Sequence, residues 1–127
     1  MQQKHVLVVD DDPDILEVIT RALASQEVRV STARRVSVAR DMLLRQTVDL
    51  VIADARMPGE SGLQLTRSAT EIGIASILMS GDLEWSEEHG LSADQYLAKP
   101  FDLNSLKRLV ATYLVSDELQ NGPAKVR

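Results

Sequence analysis

The stretch "VIADARMPG", residues 51–59, runs three apolar residues into an aspartate, Asp54, and then into a turn built on Pro58 and Gly59. Consecutive apolar positions suit a strand covered on both faces, since a strand with one wet side alternates. An acid at the end of one such strand is an ordinary turn residue. It becomes chemically interesting only if other polar groups converge on the same place.

Working outward, "HVLVV" (5–9), "EVRVS" (27–31), "LVIA" (50–53), "SILMS" (76–80) and "QYLA" (95–98) read as strands. Helical spacing lies between and after them. Ile15, Leu16, Ile19, Ala22 and Leu23 form one stripe, Ala39, Met42 and Leu43 a second, and Leu63, Leu65 and Thr66 a weaker third. Leu103, Leu106, Val110 and Tyr113 form the cleanest. Asp12 before Pro13 predicts a helix start, because Asp caps and Pro tolerates the first helical position. Asp102 is placed to cap the last helix. Five β–α repeats imply an α/β fold with a parallel sheet wrapped on both faces.

Ligands of such sheets bind at the carboxyl ends of the strands. The first strand ends in Asp10 and Asp11, the third in Asp54, the fourth in Ser80, and the fifth runs into Lys99. These five residues are therefore expected around one crevice.

Composition narrows the chemistry. The 127 residues are 44% apolar and 26% charged, an ordinary globular balance for one domain. A net charge of −5 with no basic stripe argues against direct nucleic-acid binding by this domain. The absence of cysteine excludes disulfides and thiolate metal sites. No apolar stretch reaches membrane-spanning length, so no membrane partner is expected and a cytoplasmic location is the default. The polar ending "NGPAKVR" (121–127) is expected to fray.

A nucleotide-cradling fold needs glycines after its first strand, and "DDDPD" (10–14) stands there instead. Acidic side chains suit a hard cation such as Mg²⁺, which takes carboxylate oxygens, water and phosphate. Two carboxylates about 4 Å apart repel by roughly 4 kcal/mol at an effective dielectric of 20, a strain that metal binding relieves. Lys99 supplies a positive charge and Ser80 a hydroxyl for phosphoryl oxygens, which makes Asp54 a candidate nucleophile in phosphoryl transfer.

"VLVVDDDPDIL" (6–16), "DLVIADARMPGESGLQL" (49–65), "ILMSGD" (77–82) and "YLAKPF" (96–101) together resemble the signature segments of response-regulator receiver domains. The resemblance covers about residues 4 to 115 and implies a flavodoxin-like (βα)5 fold with strand order 2-1-3-4-5. A receiver domain over 1–116 and a polar tail or linker start over 117–127 are expected. The resemblance further implies that Asp54 accepts a phosphoryl group from a histidine kinase or phosphotransfer protein. Asp11, Asp54 and the Arg56 carbonyl would bind Mg²⁺ directly, and Asp10 through water. Ser80 and Lys99 would hold phosphoryl oxygens, Ser80 and Tyr96 would move on switching, and the Lys99–Pro100 bond would be cis. Arg56 and Asp82 stand where the family tunes hydrolysis. The implied output is a downstream protein or output domain, with a homodimer compatible with the pattern.

Two departures stand out. The interval from Ser80 to Lys99 is shorter than the family norm, so the fourth helix should be stunted, and "DLEWSEEHG" (82–90) in it is acidic and carries the only tryptophan. The interval from Asp54 to Ser80 is also slightly short, around "EIGIAS" (71–76). A Mg²⁺-dependent phosphohydrolase is the enzymatic rival, but it wants an acid two residues after the nucleophile, where Arg56 stands. A pseudo-receiver interaction module is the other rival, and it normally lacks a site residue. His5 and His89 read as surface residues, and Met42, Met57 and Met79 as packing. Trp85 is balanced between packing and a partner contact.

Overall fold

The computed structural model describes residues 3–90 and 95–121. The chain runs β1 (His5–Val9), α1 (Pro13–Leu23), a 3₁₀ turn (Ala24–Gln26), β2 (Arg29–Ala33), α2 (Val36–Arg45) and β3 (Leu50–Asp54). A two-stranded ribbon, β4 (Arg56–Met57) and β5 (Glu60–Ser61), then leads into α3 (Gly62–Glu71), β6 (Ala75–Ser80), α4 (Leu83–Glu88), β7 (Tyr96–Ala98) and α5 (Leu103–Asn121). The main sheet is parallel, with order β2-β1-β3-β6-β7. With the ribbon set aside this is the expected 2-1-3-4-5.

Alternation along the strands divides the core in two. Val6 and Val8 of β1, with Leu50, Ile52, Ile77 and Met79, face Leu16, Ile19, Leu23, Leu106 and Val110 of α1 and α5. Leu7 and Val9, with Val51 and Ala53, face Val36 and Ala39 of α2 and Leu65 and Ala69 of α3. Each fully buried Leu or Ile contributes about 1.5–3 kcal/mol, so both faces hold the strand ends in place. Asp12 caps α1 through Asp14 N–H at 2.9 Å, with Pro13 in the first turn. Asp102 accepts from Asn104 N–H at 2.9 Å and from Ser105 Oγ at 2.7 Å.

Three expectations need correcting. The second strand is Arg29–Ala33 and not 27–31, because Glu27 follows the 3₁₀ turn in the left-handed region at φ 55° and cannot be extended. Leu103 lies on the exposed side of α5, so the buried stripe begins at Leu106. His5 is no surface residue: it is 2% exposed. Its ring nitrogens contact Thr47 O at 2.8 Å and Ser31 Oγ at 2.7 Å, polar partners that let an imidazole open a buried strand. The fourth helix is short, six residues, as the interval predicted. The last helix runs to Asn121, and residues 122–127 of the expected tail lie outside the described residues.

Candidate functional site

The carboxyl ends of β1, β3, β6 and β7 bring the expected residues to one edge. Asp10 is 1% exposed and each of its carboxylate oxygens accepts a hydrogen bond. Asp12 N–H donates to Oδ1 at 2.9 Å, and Lys99 Nζ donates to Oδ2 at 2.9 Å. Lys99 also lies 3.5 Å from Asp54 Oδ1, so one ammonium spans the two acids. It arrives there because Lys99 N–H donates to the Ser80 carbonyl at 2.8 Å, continuing the β6–β7 pairing past its end. The Lys99–Pro100 bond is cis.

Carboxylate oxygens of Asp10, Asp11 and Asp54 lie within 4.8 Å of one another. Asp11 is exposed, and its carboxylate makes no hydrogen bond or ion pair among the described residues. Burial pushes the Asp54 carboxyl above its ordinary range, outweighing the attraction of Lys99, and the neighbouring Asp10 charge adds to the rise. For Lys99 burial favours the neutral amine, but the Asp10 hydrogen bond and the charges of Asp10 and Asp54 win and raise it. Three clustered carboxylates answered by one lysine make an anionic pocket short of positive charge. The donor set, all carboxylate oxygen, suits Mg²⁺.

Ser80 is buried, and its hydroxyl is held by the Asp82 backbone: Oγ accepts from Asp82 N–H at 3.1 Å and donates to Asp82 O at 3.2 Å. Tyr96 is half-buried against Ala55, Leu63 and Leu78, with Trp85 in the same cluster. Arg56 and Asp82 meet across the mouth at 3.5 Å, both substantially exposed.

Sequence reading missed how these residues are tied to their surroundings. The Arg56 guanidinium lies over the Trp85 ring at 5.5 Å, and Trp85 stacks on exposed His89 at 4.2 Å. Asp82 Oδ1 caps α4 by accepting from Trp85 N–H at 2.9 Å. Glu60 Oε1 accepts from Val36 N–H at 3.0 Å, and Gly62 packs its Cα against the Asp54 carbonyl. The spacing of Asp82 and Trp85 at a helix start could have signalled the cap; nothing local signals the others.

The response regulator receiver domain family matches residues 6–111. This chain is a response-regulator receiver domain. The receiver is 35% identical over 119 residues to the response regulator protein PilR of Pseudomonas aeruginosa, covering 90% of this chain and 27% of that protein. It is 30% identical to the DNA-binding transcriptional regulator NtrC of Escherichia coli, over 100% of this chain and 28% of the relative. The chain thus spans about a quarter of the length of these two relatives. Among solved structures, the response regulator TrrA of Thermotoga maritima, in complex with Mg²⁺ and BeF, superposes at TM-score 0.77 with 30% identity. That match covers 87% of this receiver and 99% of TrrA. A signal receiver domain from Pseudomonas fluorescens shares the fold at TM-score 0.82 and 24% identity, covering 95% of this chain and 93% of its own.

Proposed function

We infer that this receiver domain is a phosphorylation-controlled switch that takes a phosphoryl group onto Asp54. The observation that carries the reading is the clustering of three carboxylates within 4.8 Å, with Lys99 3.5 Å from Asp54, at the ends of parallel strands. Asp54 Oδ attacks the phosphorus of the donor, the bond from phosphorus to the donor's nitrogen or oxygen breaks, and an acyl phosphate forms. Lys99 is positioned to keep one hydrogen bond to Asp10 while its charge meets the transferring group. Ser80 can turn its hydroxyl to a second oxygen, and Tyr96 can follow it inward.

Mg²⁺, when bound, would supply charge neutralisation to the phosphoryl oxygens. Asp11, Asp54 and the Arg56 carbonyl are the residues to hold it. Asp10 would act through water, since both its oxygens already accept hydrogen bonds from Asp12 and Lys99. Phosphorylation and dephosphorylation both need only this site, so the domain catalyses its own modification without being a conventional enzyme.

The donor class is a histidine kinase or a phosphotransfer protein, and the recipient of the signal is a downstream protein or an output domain. Nucleic-acid recognition belongs to such an output and not to this domain, whose net charge is −5. Among the described residues no helix is long and apolar enough to cross a membrane.

The test is incubation with a small phosphodonor and Mg²⁺ followed by intact mass measurement. One base-labile phosphoryl group should be gained by the parent and none by Asp54→Asn. A labelled Asp54→Asn variant, or a parent that never labels, overturns the reading.

A further inference from the structure

The ribbon that follows Asp54 is fastened to α2 by one side chain. Arg35 occupies the N-cap position of α2 in an extended conformation, yet its side chain makes no capping hydrogen bond. The capping acceptor comes instead from 24 residues downstream: Glu60 Oε1 receives Val36 N–H at 3.0 Å. Its side chain is 17% exposed and lies 3.8 Å from Arg35 Nε, so the carboxylate is shielded and paired at the positive end of the helix.

Glu60 stands opposite Met57 in the ribbon, and Ser61 stands opposite Arg56. Met57 is buried in the same core as Val36 and Ala39, the first turn of α2. Arg56, whose carbonyl the proposed function assigns to the cation and whose N–H reaches Asp54 Oδ1 at 3.5 Å, is therefore one position from an anchored pair. On its other side, Gly62 N–H donates to Ala55 O at 3.3 Å.

We propose that Glu60, by capping α2 from the β4–β5 ribbon, is a positioning residue that fixes the Arg56 carbonyl for the divalent cation. Glu60 is not itself a ligand, since the acidic cluster comprises Asp10, Asp11 and Asp54. It acts one residue further out than the direct partners of metal ligands, whose loss costs about 10–100-fold in affinity, by restricting the ribbon on which Arg56 sits. Met57 and Gly62 still hold the ribbon without Glu60, so the lower end, about tenfold, is expected. The proposal rests on the Mg²⁺ reading of the pocket.

The experiment titrates MgCl₂ into the unphosphorylated domain while following backbone amide shifts of residues 10–12 and 54–56, with thermal melts of each variant alongside. Glu60→Ala should bind about tenfold more weakly. Glu60→Gln keeps the acceptor oxygen and removes the charge, and should retain most of the affinity. A second background, Arg35→Asn with Glu60→Ala, supplies α2 with a local cap and leaves the ribbon loose. It should regain thermal stability while Mg²⁺ affinity stays low. Glu60→Ala binding as tightly as the parent overturns the proposal. So does recovery of affinity together with stability in the double variant, which makes Glu60 a stabiliser only. Equal losses for Gln and Ala also overturn it, by making charge the cause. A parent with no Mg²⁺ response fails the pocket reading itself, a separate and recognisable outcome.

Discussion

Gly62→Ala should disturb this domain directly against the backbone of Asp54. A Cβ on Gly62 would overlap the Asp54 carbonyl oxygen outright, and would lie 2.7 Å from the Asp54 carbonyl carbon and 3.3 Å from Ala55 Cα. All three are backbone atoms, so no rotamer relieves the clash, and either β3 or the start of α3 must move. Overpacking ordinarily costs about 1–3 kcal/mol, and a backbone-on-backbone clash belongs at the upper end, about 3 kcal/mol. In a domain of this size each 1 kcal/mol lowers the melting temperature by roughly 3–5 °C, so a fall of about 10 °C is expected. The displacement is delivered to the residue that would be phosphorylated. Labelling by a small phosphodonor, measured by intact mass below the variant's melting transition, should therefore slow even where the fold is retained. Gly81→Ala is the control: its Cβ would meet only the Lys99 carbonyl oxygen, at an ordinary 3.8 Å, and its stability should stay within about 0.5 kcal/mol. A Gly62→Ala protein that melts and labels like the parent would refute the close-packing argument.

Other expectations follow from the charges of the site. Asp54 has a raised carboxyl, so the folded state holds that proton more tightly than the unfolded chain, and ionised Asp54 costs stability at neutral pH. Metal-free Asp54→Asn should melt above the parent at pH 7, with the gap closing as pH falls through the raised Asp54 value; equal melting at pH 7 would contradict it. Lys99 has the opposite sense: its stabilisation is present at neutral pH and is lost only as pH rises through its elevated value. Mg²⁺ should raise the melting temperature by linkage, and Asp11→Ala should blunt the rise; a parent indifferent to tens of millimolar Mg²⁺, on the order of a working excess, argues against the pocket. The exposed Arg56–Asp82 pair is worth under about 1 kcal/mol as an ion pair, but it can obstruct water in line with the phosphorus–Asp54 bond. Arg56→Ala and Asp82→Ala should each speed loss of the phosphoryl group, the double variant no more than either; unchanged decay in both singles removes the lid.

The strand ends were legible because central parallel strands are continuous apolar runs that stop at a charge, as in Val51–Asp54 and Val6–Asp10. Alternating burial of Leu7 and Val9 against Val6 and Val8 then follows from the pleat alone. The edge strand β2 was misplaced because only Ala33 in it is fully buried, so its apolar signal is weak and Val28 lies outside it. His5 was misread because its satisfaction depends on Thr47 and Ser31, which only the fold brings near. The same holds for Glu60, whose partner is 24 residues earlier. The shortened fourth helix was readable as a length, whereas the stack of Arg56, Trp85 and His89 needed the placement of β4 against α4.

That stack gives the switch reading its sharpest consequence. The Ser80 hydroxyl has one proton, now donated to Asp82 O, and it cannot also donate to a phosphoryl oxygen. Asp82 O would not be orphaned by the change, because Ser86 N–H and Ser86 Oγ both donate to it at 3.1 Å. Turning Ser80 toward Asp54 therefore leaves no buried carbonyl unsatisfied; only the N–H of exposed Asp82 gives up its Ser80 Oγ acceptor, which keeps the cost of the change low. Asp82 loses its tie to β6 but keeps its hold on α4 through Ser86 and Trp85 N–H. It should then shift with α4 and not stay with the sheet. The contact between Arg56 and Trp85, at 5.5 Å and worth about 0.5–1 kcal/mol when exposed, spans that moving junction and is the first to change. Trp85 emission should therefore respond when beryllofluoride and Mg²⁺ bind, and Ser80→Ala should abolish the response while leaving the mimic bound. An emission spectrum that does not respond in the parent, with binding of the mimic shown independently, would separate α4 from the site and leave the Ser80 hydroxyl without a route to it.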